Sequence, residues 1–385
     1  MKFSRLVIPG ITMIAVTYGL ARFSYGLLLP NISSSLEMSS FVSGIISSLF
    51  YLAYCFAIIF STVLTTDKGP RVMILTAGAS AFLGLLIMGL SPNVWLLGLG
   101  VLFAGASTGL VSPPYGASVS LWIEYKKQGK ANTWINSGTS FGIILAGAGA
   151  LILASEWRLT YLIYALIALL VLIWNAKVIP KIGSDPHVTF HKGEFSFRGV
   201  KGAIPLIICS TVLGISTAAF WTFSIDFIGS TGSYSDWQLS LFWVIIGVFG
   251  ILGGFSGSLI EKFGLPWAYK WAGLVIGVAS ILLALNPENW LTAYISAALF
   301  GIAYIFITGI LLVWGIRVFI TNASLGIGTP FLLLAVGQVI GSSFAGMLID
   351  LVGFNVTFLI YGFMGIVAMI LGPREIKNRP SKYRG

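Results

Sequence analysis

Apolar residues run in long blocks along this chain, broken by short polar stretches. The blocks fall at roughly 6–29, 41–63, 72–90, 94–122, 134–154, 158–177, 202–228, 237–260, 267–285, 290–316, 321–349 and 354–372. Each is close to the ~20 residues that carry a helix across a bilayer. Barrel strands would be about 10 residues long with alternating polarity, and only a closed structure satisfies its own backbone in lipid. The pattern therefore predicts an all-α integral membrane protein with twelve spans. The first block has a basic start (Lys2, Arg5), as a signal peptide would, but it continues past Arg22 to Leu29. That length predicts an uncleaved first span.

Composition agrees. Of 385 residues, 57% are hydrophobic and 9% charged, against about 25% charged in an average soluble domain. A cytosolic enzyme, a nucleic-acid-binding module and a disordered scaffold are excluded on that ground. The net charge of +10 belongs to loops between apolar runs, so its partner is the membrane surface and not nucleic acid. With the N-terminus inside, every Lys and Arg except Arg22 and Arg158 falls on the cytoplasmic side. One missed span would move all later loops across, so the bias predicts an even span count and both termini cytoplasmic, in the cytoplasmic membrane. The longest polar stretch, 178–200, divides the chain into a first bundle (1–177), a linker and a second bundle with a basic tail (201–385). His187 and His191 lie in the linker without carboxylate or thiolate company, which reads as a solvated segment and not a metal site. Cys55 and Cys209 sit in apolar runs and read as buried thiols.

A short pattern recurs. Gly257-Ser-Leu-Ile-Glu261-Lys262-Phe-Gly264 follows span eight, and Gly346-Met-Leu-Ile-Asp350-Leu-Val-Gly353 ends span eleven. Asp67-Lys68-Gly69-Pro70-Arg71 after span two is a shorter version. Two copies on opposite faces of the membrane fit inverted three-helix repeats. The expected logic is an acid at a helix end, a basic turn, and glycine where helices approach closely.

With Trp157-Arg158 entering span six and the six-plus-six layout, these turns resemble the major facilitator superfamily over nearly the whole chain. The segment Ala21-Arg22-Phe23-Ser24-Tyr25-Gly26-Leu27-Leu28-Leu29-Pro30 is similar to a bacterial permease branch with an Arg-Phe-x-Tyr-Gly first helix, and the cyanate-permease-like branch is a near neighbour. The resemblance implies two pseudo-symmetric six-helix bundles around a central cavity, alternating access, and spans one, four, seven and ten nearest the substrate. Some family features are missing. Val101 stands where many proton-driven members have an arginine before Gly105. Span five lacks the Gly-Pro pair of drug antiporters, and Val63 replaces the leading glycine of the first turn.

Arg22 is the sharpest single feature, a charge well inside span one, where burial costs several kcal/mol. Tyr18 and Tyr25 share its face by α-helical spacing. A guanidinium flanked by phenols can hold a carboxylate, or it can pair with a protein acid. Asp226, near the outer end of the symmetry-related span seven, could pair with Arg22 at an outer gate, carry a proton, or stand as an interfacial acid in water. Glu124 reads as a surface partner of Lys126 and Lys127. Polar stripes run along span five (Asn132, Asn136, Ser140) and span eleven (Gln338, Ser342). Tyr115, Ser118 and Trp122 share a face of span four, and Tyr304 and Thr308 share one of span ten. Each can line the cavity or pack between helices. Gly247, Gly250, Gly254 and Gly257 form a face suited to close approach and sliding.

The expected substrate contacts are Arg22, Tyr18, Tyr25, Tyr115, Trp122, Asn136, Tyr304 and Gln338. The expected gating or coupling residues are Asp226, Asp67, Arg71, Glu261, Lys262 and Asp350. No metal or other cofactor is expected, and the absence of a phosphate-cradling Gly-x-x-x-x-Gly-Lys-Ser/Thr motif argues against ATP. The reading is a monomeric secondary transporter of a small organic solute, compatible with an anionic substrate and with proton coupling. Efflux by the same fold is the alternative. An intramembrane enzyme would need a catalytic constellation, and a channel would need conduction beyond carrier rates.

Overall fold

The computed structural model describes residues 2–153, 156–180, 200, 202–319 and 323–373. His187, His191 and the basic tail lie outside these. The helices are α1 (Phe3–Ser35), α2 (Ser40–Lys68), α3 (Pro70–Gly89), α4 (Val94–Trp122), α5 (Tyr125–Leu153) and α6 (Trp157–Val178). They continue with α7 (Ala203–Ser230), α8 (Asp236–Phe263), α9 (Leu265–Leu285) and α10 (Trp290–Val318). The last helical stretch, Ala323–Ile370, is 48 residues long. Unbroken, it would reach roughly 72 Å, more than twice the ~30 Å hydrocarbon core. Gly353 breaks it with φ 81° and ψ 173°, giving α11 (323–352) and α12 (354–370). Among the described residues, twelve spans result.

Boundaries differ from the hydropathy blocks where polar residues continue a helix past the apolar zone. The chain is helical from Tyr125, nine residues before the apolar block at 134, because Lys126, Lys127, Gln128 and Lys130 favour helix while remaining largely in solvent. Side chains close several helix starts: Ser39 accepts from Val42 N, Asn93 from Leu96 N, and Asn289 from Leu291 N and Thr292 N.

The repeated turns share one backbone conformation. Gly69 (φ 80°, ψ 157°), Gly264 (φ 86°, ψ 154°) and Gly353 (φ 81°, ψ 173°) all lie in a region essentially reserved for glycine. Close approach is the reason for Gly346 at the head of one turn, which abuts Ser40 of α2, and not for Gly264 or Gly353. A side chain at Gly353 would meet nothing, and one at Gly264 only Pro266 Cδ at 3.8 Å.

The same helix pairs close in both halves. Gly19 and Gly142 bring α1 onto α5, as Gly214 and Gly337 bring α7 onto α11. Gly105 seats α4 on Phe50 of α2, as Gly301 seats α10 on Ile246 of α8. α3 packs on α6 and α9 on α12 at the periphery. Two pseudo-symmetric bundles follow, each held by small residues that let backbones touch.

Between the bundles, contacts gather toward the face opposite the N-terminus. Gly26 of α1 lies against the Trp221 carbonyl of α7, and Gly44 and Gly346 close α2 onto α11. Gly147 and Gly247 close α5 onto α8. Ser48 Oγ bonds Ser343 Oγ and the Val339 carbonyl, each at 2.7 Å. Ser47 Oγ bonds Thr222 Oγ1 at 2.8 Å. Toward the N-terminal face the bundles part. Ser140 is packed at Gly247 and Gly250, but Asn136 and Asn132, one and two turns farther along α5, are exposed. Side chains at Gly254 and Gly257 would meet nothing. The expected glycine face of α8 is thus half packed and half open. The cleft is sealed on the far face and opens on the N-terminal one.

Candidate functional site: a buried arginine between the bundles

α1 is not a uniform α-helix. Residues Ala15–Phe23 form a π-helical segment, a feature that recurs at functional sites. Its wider turn changes which side chains share a face, and this segment carries Tyr18 and Arg22.

Arg22 is 7% exposed. Its Nη2 donates to Gln338 Oε1 of α11 at 2.9 Å, and Gln338 Nε2 donates to Tyr304 Oη of α10 at 3.3 Å. Four rings surround the guanidinium carbon: Tyr51 at 4.6 Å, Phe23 at 5.1 Å, Tyr54 at 5.3 Å and Tyr18 at 5.8 Å. Trp221 of α7 stacks on Phe23 at 4.1 Å and meets Tyr304 edge-on at 4.9 Å. Five helices, three of them from the second bundle, thus converge on one cation. Among the described residues no carboxylate pairs with it, and Arg22 Nε, though buried, has no acceptor. Each desolvated ring contact is worth about 0.5–2 kcal/mol, which offsets much of the several kcal/mol that burying the charge costs. The charge itself stays unneutralised.

Several expected residues join this cluster and others do not. Tyr18, Tyr304 and Gln338 are in it, and the Tyr18 hydroxyl is held at 3.0 Å from Ser112 Oγ. Tyr25 lines the same small void as Arg22, while its hydroxyl donates to the Ser43 carbonyl of α2 at 3.1 Å and its ring packs on Phe50. Tyr115 turns into its own bundle, donating to Asn175 Oδ1 at 2.5 Å and to the Pro9 carbonyl at 3.4 Å. It packs α1, α4 and α6 together and is no cavity residue in this conformation. Trp122 is half-buried at the N-terminal-face end of α4, and Asn136 stands exposed at the cleft. Tyr51 and Tyr54 were not anticipated. The only signal was two tyrosines three apart in an otherwise apolar span.

The polar turns divide by face. Asp350 accepts from Ser40 N at 3.2 Å and Phe41 N at 2.9 Å, so it caps α2 across the bundle interface. Arg71 donates to the Ala176 carbonyl at 2.6 Å and to that of Ile179, closing the end of α6. Asp67, Glu261 and Lys262 are exposed, with the Lys262 ammonium 5.1 Å from the Phe263 ring. Glu124 pairs with Lys127 at 2.8 Å, and that bonded ammonium holds its carboxyl below the usual range. Asp226 is half-buried near the far end of α7, close to the Tyr25 phenol and not paired with Arg22. Arg158 ties the far-face loops, donating to the Ser91 carbonyl at 3.1 Å and Ser35 Oγ at 3.2 Å. Cys55 and Cys209 are free buried thiols.

Three solved structures share this architecture. The nucleoside transporter NupG, in a mutant form, superposes with a TM-score of 0.75 at 13% identity, over 95% of this chain and 98% of that one. A POT family transporter in complex with 5-aminolevulinic acid gives 0.76 at 15% identity, over 94% and 95%. A POT family transporter with a thioalcohol-conjugated peptide gives 0.75 at 15%, over 94% and 95%. At such identities the likeness is one of fold. The profile of the Major Facilitator Superfamily matches residues 11–329, most of the chain's length, and the chain belongs to that superfamily of secondary transporters.

Proposed function

We propose that this transporter carries a small organic anion across the cytoplasmic membrane by alternating access, with Arg22 as the anion's anchor. The observation that carries the reading is a buried guanidinium at the meeting point of both bundles with no acidic partner among the described residues. A planar fork of donors in a low-dielectric site favours a carboxylate. The ligands named for NupG and the POT transporters are not transferred, because only the fold is shared.

The bundles are assigned to 1–177 and 201–385, joined by the 178–200 segment, in a monomer with both termini cytoplasmic. The distribution of Lys and Arg supports that orientation, and under it the cleft opens inward. Among the described residues Asp226 is the acid farthest from a helix end, and we assign it any proton coupling. Cytoplasm-active reporters fused at Lys2 and Gly385 should both give signal, and a periplasmic signal at either overturns the orientation.

The function test is binding and flux in purified protein and proteoliposomes, since a ligand of the folded state raises its melting temperature. Arg22→Ala should abolish carboxylate-dependent stabilisation and flux, and Arg22→Lys should keep a remnant of both, having charge without the fork. Losing a desolvated charged partner costs ~2–5 kcal/mol, about 30-fold to several-thousand-fold in affinity. Wild-type flux in Arg22→Ala refutes the reading.

A further inference from the structure

The Tyr51 hydroxyl approaches Arg22 and the Gln338 amide bonds it, and the amide is a chemically odd partner for a buried cation. A carboxylate would neutralise it, yet a neutral amide stands there. Gln338 is fully buried, its Oε1 lies 2.9 Å from Arg22 Nη2, and its Nε2 makes a long 3.3 Å bond to Tyr304. An amide oxygen accepts in the same geometry as a carboxylate oxygen but brings only a dipole.

We propose that Gln338 holds the substrate's seat: a carboxylate oxygen of the transported molecule displaces its amide from Arg22, and the molecule is a monocarboxylate without an α-amine. This inference rests on the anion-transport reading above.

Three features favour displacement over simple addition. First, the void beside Arg22, toward α2 and α7, measures only about 10 Å³, room for one water at most. An organic anion enters only if a side chain yields. Secondly, the α11 backbone next to Gln338 is pinned, since Gly337 abuts Thr211 and Gly214 of α7 and Gly341 abuts Ile215. The side-chain torsions of Gln338 are the part free to give. Thirdly, the exchange is favourable in charge, because a bond from guanidinium to an ionised acceptor is roughly twice as strong as one to a neutral acceptor. A glutamate at 338 would remove that advantage by neutralising Arg22 itself.

The class of substrate follows from what surrounds the cation. The faces of Tyr18, Tyr51, Tyr54 and Phe23 already serve the guanidinium. An ammonium on the carbon next to the carboxylate would sit close to that same charge, with no acid to receive it. Asp226 makes no ion pair with Arg22 among the described residues and stands near Tyr25, whose ring lines the void on the side away from Gln338. The aromatic walls instead suit an apolar or aromatic body. Displacement also releases a tie between the bundles, as Arg22 is on α1 and Gln338 on α11.

The experiment compares 3-phenylpropionate, octanoate and phenylalanine as probes, by melting temperature and equilibrium binding, on the full-length protein. Wild type should be stabilised by the first or second and not by phenylalanine. Gln338→Glu should lose at least about 30-fold in carboxylate affinity, whereas Gln338→Ala should match or exceed wild type. Near-wild-type affinity in Gln338→Glu, or a loss in Gln338→Ala as deep as that in Arg22→Ala, overturns displacement while leaving Arg22 as anchor. Carboxylate binding that survives in Arg22→Ala sinks the anion reading itself. Stabilisation by phenylalanine equal to that by 3-phenylpropionate, or by neither carboxylate, refutes the class. Circular dichroism and gel filtration of each variant confirm folding, and Gln338→Met supplies an uncharged variant of similar volume expected to bind as Gln338→Ala does.

Discussion

Asp350→Ala should loosen the far-face seal and shift the protein toward the conformer open on that face. The carboxylate accepts from Ser40 N and Phe41 N, the first free donors of α2, at 3.2 and 2.9 Å. It reaches them from α11, so the cap exists only while α2 and α11 are together. When they separate, acceptor and donors both meet water. The net value of the cap therefore enters directly into the equilibrium between conformers. Capping side chains contribute ~0.5–2 kcal/mol, and a negative charge at a helix start contributes ~0.3–1 kcal/mol, which overlaps with it. The site is exposed, so the sum stays near 1–2 kcal/mol, roughly a 5- to 30-fold shift.

A cysteine replacing Ser43, 1% exposed and one turn into α2, reports the shift in a background lacking Cys55 and Cys209. Its labelling by an impermeant thiol reagent from the far face should accelerate by that factor in Asp350→Ala. Asp350→Asn should accelerate less, since one oxygen acceptor remains. High salt should shrink the difference, as the interaction is exposed. Labelling within twofold of the parent at unchanged melting temperature would refute the cap's role as a latch.

Three further outcomes can be checked. Tyr115→Phe leaves Asn175 Oδ1 short of its 2.5 Å donor and should lower stability by ~1–3 kcal/mol, read as a lower melting temperature with ligand affinity unchanged. Gly264→Ala meets no steric obstacle but forces a side chain onto φ 86°; a cost of ~1–3 kcal/mol should appear in thermal melts. Cysteines replacing Ser48 and Ser343, whose hydroxyls are 2.7 Å apart, should cross-link under oxidation, halt flux, and recover it on reduction.

The fold was legible because lipid imposes a simple rule on length and polarity, and the twelve apolar blocks met it. The break at Gly353 was legible too, since Gly346 to Gly353 repeats the pattern of Gly257 to Gly264. Why glycine ends each turn was not. Spacing alone does not separate close packing from a positive φ. Arg22 announced itself as a charge in an apolar run, and Tyr304 and Gln338 as polar groups on spans the resemblance put near the cavity. Tyr25 lies with Arg22 on one void, but its bond to the Ser43 carbonyl of α2 was beyond the reach of spacing along a single helix. Tyr51 and Tyr54 were hidden because a tyrosine in an apolar span reads as packing until a neighbouring helix supplies a cation. Asp350 was recognisable as a helix-end acid, but its partners lie about 310 residues away, beyond any local pattern.

The chemistry of the seal bears on how the cycle can turn over. In the far-face half, no ion pair joins the bundles among the described residues. Hydroxyls of Ser47, Ser48, Thr222 and Ser343 bond one another or a carbonyl, and glycines bring backbones together. A neutral hydrogen bond nets only ~0.5–1.5 kcal/mol, because both partners find water when it breaks. Such a seal closes firmly by number and opens without stranding a buried charge, whereas removing one partner of a buried ion pair costs ~3–5 kcal/mol. Two full charges tie the bundles, the exposed Asp350 at the rim and the buried Arg22, and Arg22 is the one whose tie a substrate carboxylate can change. Conformational exchange then depends on substrate at the place where the interface buries a charge. Converting Ser343 to Asp, which would put a charge into the seal beside Ser48, should bias the bundles apart on that face even with Arg22 and Gln338 intact. Labelling of the Ser43→Cys reporter should rise in that variant, and a rate equal to the parent's would show that the neutrality of the seal is not what keeps it reversible.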